Sequence, residues 1–104
     1  MNYTDYIPIL KALADETRLK IVDMLSKGDL CACKILEHFS ITQPTLSYHM
    51  RILCDSEVVT GVRNGAWMNY SLNKEIFEAV SNLFDDFLEN KRQGSKCIGN
   101  CMGD

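Results

Sequence analysis

Thr42 to Leu53 reads TQPTLSYHMRIL, and Val58 to Asn73 reads VVTGVRNGAWMNYSLN. The first stretch has helical spacing. Thr42 is a cap residue, and Pro44 falls in the first turn, where its missing N–H costs little. Leu46, Met50 and Leu53 recur at i, i+4 and i+7 and form an inner stripe. Gln43, Thr45, Ser47, Tyr48 and Arg51 lie off that stripe, with His49 near its edge. The second stretch changes period. Val58, Val59, Thr60 and Val62, then Trp67, Asn69 and Tyr70, favour strands. Arg63-Asn64-Gly65 between them is a hairpin signal, with Asn-Gly as the usual type I′ pair.

Helices flank this unit on both sides. Tyr6 to Ala14 is read as a helix capped by Thr4, with Pro8 in its first turn and Ile7, Leu10, Leu13 and Ala14 on one face. Tyr3, Tyr6 and Ile9 widen that face, which suggests burial on two sides, as at a subunit contact. Asp15 caps a second helix with Leu19, Val22 and Leu25 as its core stripe, Ile21 beside them, and Gly28 as the C′ residue. Asp29 caps a third, short helix that buries Ile35, Leu36 and Phe39. Asn73 caps the last, which runs to about Lys91 with Ile76, Phe77, Val80, Leu83, Phe84, Phe87 and Leu88 on a broad apolar face. The expected order is α-α-α-α-β-β-α. That is a mainly helical winged helix-turn-helix over 1–92, followed by a flexible cysteine-containing tail over 93–104.

Composition bounds the rest. The chain has 104 residues, 46% hydrophobic and 24% charged, which fits one soluble domain with a modest core. No apolar run approaches the ~18–20 residues that a membrane span needs, and no signal peptide is read at the N-terminus. The expected compartment is the cytoplasm. The net charge of −3 argues at first against nucleic acid. Its distribution argues the other way. Of the 14 acids only Asp55 and Glu57 fall within 41–73, where Arg51 and Arg63 balance them.

The second helix of a helix-turn-helix enters a major groove ~12 Å wide, so its exposed face must be polar and free of acid. Gln43, Thr45, Ser47, Tyr48, His49 and Arg51 supply such a face. Gln43 suits adenine, Thr45 and Ser47 suit bases or phosphates, and His49 and Arg51 suit phosphate or guanine. Arg63 at the hairpin tip suits a neighbouring phosphate or a minor groove.

Five cysteines, at 31, 33, 54, 97 and 101, are many for a cytosolic chain. Clustered thiols in a reducing compartment point to metal or redox chemistry more than to structural disulfides. Cys54 reads as a small buried hydrophobe. Cys31 and Cys33 stand at i and i+2, which on an intact helix separates them by about 200°. Sharing one ion would require the helix start to unwind or rotate. A helix N-terminus and Lys34 favour thiolate there, while Asp29 and Glu37 oppose it.

ALADETRLKIVDML (12–25), GDLCACKILEHF (28–39), TQPTLSYHMRIL (42–53) and the Asn-Gly hairpin together resemble, in that order, the ArsR/SmtB family of metal-sensing winged-helix repressors. The resemblance spans Ile9 to about Leu88. The Leu-Cys-x-Cys motif, Leu30 to Cys33, is similar to that of the arsenic- and antimonite-responsive branch. It implies a homodimer joined through the first and last helices. It also implies binding to double-stranded operator DNA, an imperfect inverted repeat, with no cofactor required. Release would follow when As(III) or Sb(III) binds cysteine thiolates. Trivalent arsenic takes three thiolates, and some relatives carry a third Cys three residues after the second. Here that position is Leu36. Cys97 or Cys101, of the same or the partner subunit, could complete the set, as could water or a small thiol, with Cys54 a weaker candidate. A second family site, for zinc, uses His and carboxylates on the last helix. No His follows His49, and the acids of that helix read as a solvated face.

Two rivals share these residues. The thiols could sense oxidants or divalent soft metals (cadmium, lead, zinc) on the same scaffold. A thiol-rich protein that never touches DNA is the other rival, and the acid-free stretch 41–54 argues against it. No triad-like setting surrounds His38 or His49 and no Gly-rich phosphate loop occurs, so an enzyme is not expected.

Overall fold

The computed structural model describes residues 1–90. Five helices and three strands follow one another as α1 (Tyr3–Leu13), α2 (Glu16–Leu25), β1 (Leu30–Cys31), α3 (Ala32–Leu36), α4 (Gln43–Asp55), β2 (Val59–Asn64), β3 (Trp67–Leu72) and α5 (Lys74–Glu89). The winged helix-turn-helix reading holds. One element was not foreseen. Leu30 and Cys31 form a two-residue strand that pairs antiparallel with β3, so the sheet order is β1-β3-β2.

Ile21, Ile35, Leu53 and Val58 are fully buried and hold α2, α3, α4 and the start of the hairpin together. Burying one such side chain contributes about 1.5–3 kcal/mol. That is why five residues, Ala32–Leu36, persist as a helix at all. Leu46, Met50 and Leu53 line the inner face of α4 as their spacing predicts. Thr42 caps α4 by accepting from the Thr45 N–H at 3.3 Å.

The α4 C-terminus closes in a Schellman turn. The Val58 N–H bonds to the Leu53 carbonyl at 3.0 Å and the Glu57 N–H to the Cys54 carbonyl at 2.9 Å. Glu57 takes φ 66° there, a left-handed conformation usually left to glycine.

Several boundaries differ from expectation. α1 starts at Tyr3, behind Asn2, whose N–H donates to the Asp5 carboxylate at 2.9 Å. Pro8 therefore lies inside the helix rather than in its first turn. It deprives the Thr4 carbonyl of a partner, which is tolerable because Thr4 is exposed to water. The core takes Ile9 and Ala12 from α1, while Ile7 is exposed. The helix carries two apolar stripes, and this chain's own core uses one. α2 buries Ile21 and Leu25 but leaves Leu19 exposed. It ends at Leu25, and turn bonds from Lys27 and Gly28 carry the chain away.

The hairpin closes one residue later than expected. Asn64 still pairs with Trp67, so the two loop residues are Gly65 and Ala66. Gly65 alone takes positive φ, 67°. Only a turn with Gly at its first central position needs that, as in type II′. At Gly61 an added Cβ would come within 2.9 Å of the Tyr70 ring, so that ring lies over Gly61 in the space a side chain would take.

Candidate thiol site and nucleic-acid interface

Cys31 does not begin a helix. It ends β1 with extended dihedrals, φ −79° and ψ 159°, and serves as the N-cap of α3. Asp29, the expected cap, lies two residues upstream. Because the chain turns from strand to helix between Cys31 and Cys33, the 200° separation of an intact helix does not arise. Their Sγ atoms stand 2.7 Å apart. No unwinding is needed to bring both thiols to one atom.

The two sulfurs are close enough for one thiol to donate to the other. The Cys33 thiol donates to the Cys31 sulfur, and with help from the Lys34 backbone N–H it holds the Cys31 thiol below the ordinary range. Cys33, as the donor, is pushed up by that same bond and then by burial. Thiolate is the nucleophile and the ligand form, so Cys31 is the one poised to react first.

Two DNA-reading candidates adjoin this pair. The Cys31 backbone pairs with Asn69 of β3, so the thiols are joined directly to the hairpin. Cys33 forms part of the wall of a cleft of about 330 Å³ between α3, α4 and the hairpin. Leu36, Met50, Trp67, Met68 and Tyr70 supply its apolar lining, and Gln43, Ser47 and Arg63 rim it. In the sequence Trp67 and Tyr70 stand out only as strand formers. The signal for more was a lone tryptophan beside a glycine turn.

Gln43, Thr45, Ser47, Tyr48 and Arg51 are exposed on α4, and Arg63 is exposed near the end of β2. Of these, Gln43, Ser47 and Arg63 meet around the cleft. His49 differs. Its side chain is 13% exposed and turns toward α2, with Nδ1 3.0 Å from Arg18 Nη1 and 3.9 Å from the Asp15 carboxylate. The expected His49 contact with phosphate or guanine therefore does not fit. Arg18, which sequence reasoning passed over, anchors it and donates through Nε to the Ala12 carbonyl at 2.7 Å. Asp15 caps α2 by accepting from the Arg18 N–H at 3.0 Å, and that bond holds its carboxyl below the ordinary range.

Among the described residues, no third His, Cys, Asp or Glu joins the thiol pair to complete a metal-binding group. Cys54 sits half-buried on α4, and burial followed by the Asp55 charge pushes its thiol up. That suits a packed side chain rather than a ligand. Cys97 and Cys101 lie outside the described residues, as does the expected tail. α1 and α5 leave apolar side chains exposed. Tyr3 is 70% exposed, Leu88 83%, and the Tyr3 and Phe87 rings meet edge to face at 6.3 Å. Among the described residues, no helix is long and apolar enough to cross a membrane.

Comparison with known proteins agrees with this architecture. Residues 15–60 match the family model described as bacterial regulatory protein, arsR family. The chain is 45% identical over 97 residues to an arsenical resistance operon repressor of Staphylococcus xylosus, covering 93% of this chain and 92% of that protein. The crystal structure of an ArsR family transcriptional regulator superposes with a TM-score of 0.80 at 26% identity, covering 86% of this chain and 92% of the other. A homodimeric winged helix-turn-helix DNA-binding domain from Mycobacterium bovis superposes at 0.66 with 24% identity, covering 86% and 87%.

Proposed function

The chain belongs to the arsR family of bacterial regulatory proteins, a family of transcription regulators rather than enzymes, and on that premise we propose that it is a metalloid-responsive repressor. It binds operator DNA in the cytoplasm as a homodimer and leaves it when As(III) or Sb(III) bonds to Cys31 and Cys33. One observation carries the reading: two thiols 2.7 Å apart, one fixed to the hairpin and the other bordering the recognition helix.

The mechanism follows from that position. Soft thiolates select soft, thiophilic ions. Three thiolates around one trivalent arsenic form a pyramid, and Cys31 and Cys33 supply two of its corners. Cys97 or Cys101, of the same or the partner subunit, water or a small thiol would supply the third. Bonding to arsenic would replace the direct contact between the sulfurs and spread them around a larger atom. The shift passes through the Cys31–Asn69 pairing to β3 and Arg63, and through α3 to α4. Gln43, Thr45, Ser47, Tyr48 and Arg51 then lose their register on the groove.

The exposed apolar faces of α1 and α5 support the dimer. A two-fold dimer reads an imperfect inverted repeat with half-sites about one helical turn, ~34–36 Å, apart.

The test is fluorescence anisotropy of the reduced protein on its own promoter DNA, titrated with arsenite, antimonite, cadmium and zinc, with hydrogen peroxide in parallel. Arsenite and antimonite release the wild type and leave the Cys31→Ser/Cys33→Ser variant bound. Full release of that variant would sink the proposal. The same 2.7 Å contact favours a second reading, redox sensing. There the two thiols would give up two electrons and two protons to peroxide, forming a disulfide and two waters. Release by peroxide alone, reversed by dithiothreitol, would select it.

A further inference from the structure

We propose that Arg18 is a positioning residue for DNA recognition, which seats α4 through His49 only while the imidazole is neutral, so that a proton on His49 weakens the hold on DNA. The inference rests on the reading of α4 as the helix that enters the groove.

The first support is geometry. His49 turns inward from the polar face of α4, and its side chain is 13% exposed. Its Nδ1 meets Arg18 Nη1 at 3.0 Å. Nε of the same guanidinium donates to the Ala12 carbonyl at 2.7 Å, and the Arg18 backbone N–H donates to the Asp15 carboxylate at 3.0 Å. Arg18 is therefore fixed at the end of α1 and the start of α2, and His49 is where it grips α4. Tyr48, which is exposed among the DNA-reading candidates, packs its ring edge to face on the His49 ring at 5.3 Å. The orientation of the imidazole thus bears on a residue of the DNA-facing set.

The second support is the pairing of donors with acceptors. A guanidinium has donors only, and a neutral imidazole can accept at Nδ1. An imidazolium carries a hydrogen on both nitrogens and cannot accept. Protonation would set donor against donor and positive charge against positive charge in a partly buried site. The groups around the ring decide where it then turns. α1 offers the Ala12 carbonyl, already taken by Arg18 Nε; α2 offers Arg18 and Asp15; α4 itself offers Tyr48. Asp15 is the anion among them, 3.9 Å from Nδ1. The Arg18 N–H holds its carboxyl below the ordinary range, so it is ionised wherever an imidazole takes up a proton. The protonated ring exchanges Arg18 for Asp15, and α4 loses its tie to the guanidinium.

The sign separates this device from plain electrostatics. A positive charge gained near DNA strengthens binding through the phosphates. A lost seat for the recognition helix weakens it. DNA then selects the neutral ring, so affinity is full above the range in which imidazole titrates and falls as pH falls through it.

The test is fluorescence anisotropy of the reduced full chain on its own promoter DNA, without metalloid and at fixed ionic strength. Between pH about 7.5 and about 5.5, the span in which an imidazole takes its proton, the wild type is expected to lose affinity. The loss should be about fivefold, the scale of one net hydrogen bond. His49→Asn sets an acceptor oxygen near the place of Nδ1 and takes no proton, so it should restore the neutral-pH affinity at the acid end. Arg18→Lys keeps the charge but lacks the separate nitrogens that reach Ala12 and His49. It should bind weakly at both ends with no acid step, and it covers the case in which the first variant fails to fold. His38→Gln removes the chain's other histidine and should leave the wild-type profile unchanged. Far-UV circular dichroism at both ends follows the helix content. A flat wild-type profile, a rise in affinity with acid, a step that persists in His49→Asn, or a step that tracks loss of helix would overturn the proposal and leave α4 as the DNA-reading helix. No binding to that DNA at any pH would overturn both.

Discussion

Arg18 holds His49 from the side: Nη1 stands 3.0 Å from His49 Nδ1, and Nε of the same guanidinium bonds to the Ala12 carbonyl at 2.7 Å. A guanidinium only donates, so Nδ1 is the acceptor in this contact. One side chain thereby links α1, α2 and the recognition helix. His49→Ala removes the acceptor and is expected to cost about 1–2 kcal/mol. Since His49 faces Arg18 and not the groove, the slope of log affinity for DNA against log salt should not change. Denaturant unfolding and salt titration check both halves. A lowered slope would return His49 to the DNA-facing set.

Arg63 is expected to behave in the opposite way. It is exposed near the end of β2, and an arginine there can neutralise one phosphate. Arg63→Ala should leave stability almost untouched, weaken binding to all sequences and reduce the salt slope by about one. An unchanged slope would mean that the hairpin does not reach the backbone.

The thiols should separate by reactivity. The Cys31 thiol lies below the ordinary range because Cys33 donates to it, and the Cys33 thiol lies above because it is the donor. A depressed thiol keeps its thiolate as pH falls, whereas a raised one gains its thiolate only as pH rises further. Alkylation by iodoacetamide below the ordinary thiol range should therefore label Cys31 first, with Cys33 catching up as pH increases. Peptide mapping after short pulses measures this. Replacing the donor, Cys33→Ala, should slow Cys31 labelling at the low end of the range.

Glu57 occupies a left-handed position at φ 66° within the turn that ends α4. Glycine carries no Cβ penalty there, although it gives up some entropy in the unfolded chain. Glu57→Gly is expected to stabilise by about 0.5–1 kcal/mol. That corresponds to a rise of a few degrees in Tm, visible by thermal unfolding at fixed protein concentration. A loss of stability would mean that the glutamate side chain makes up for its backbone.

The α1–α5 surface should govern assembly. Phe87 and Leu88 are exposed beside Tyr3. A charge there would have to be desolvated in any two-fold contact that covers them. Leu88→Glu is expected to shift sedimentation from dimer to monomer and to weaken operator binding in parallel. A dimer that survives both Leu88→Glu and Phe87→Glu would place the contact elsewhere.

Periodicity made most of the fold legible. The stripe Leu46, Met50, Leu53 and the strand residues around Gly65 located the recognition helix and the hairpin, because each pattern has one face to bury. The faces of α1 were not legible in the same way. Its two apolar stripes are equivalent until something packs on one of them, and the core took Ile9 and Ala12. Cys31 and Cys33 were legible as a pair, but their geometry was not. A two-residue strand leaves no periodic trace, so Leu30–Cys31 read as the start of a helix, and the thiols seemed to point apart. His49 stands at the border of the stripe, where only the tertiary partner Arg18 decides which way the ring turns. The cleft was invisible for a related reason: Leu36, Met50 and Trp67 come from three elements and meet only after folding.

The shortness of β1 has an energetic meaning. Two residues form few ladder bonds, so the segment can detach from β3 by a small local fluctuation while the rest of the chain remains folded. Backbone amides at Leu30 and Cys31 should exchange with deuterium far sooner than those in the middle of β3. On the proposed function, any displacement of β1 that follows ligand binding would work against the modest free energy of local opening. It does not draw on the ~5–15 kcal/mol that typically keeps a whole domain folded. Response threshold and fold stability would then be uncoupled, and substitutions around Leu30 and Asn69 would tune the one while leaving the other in place.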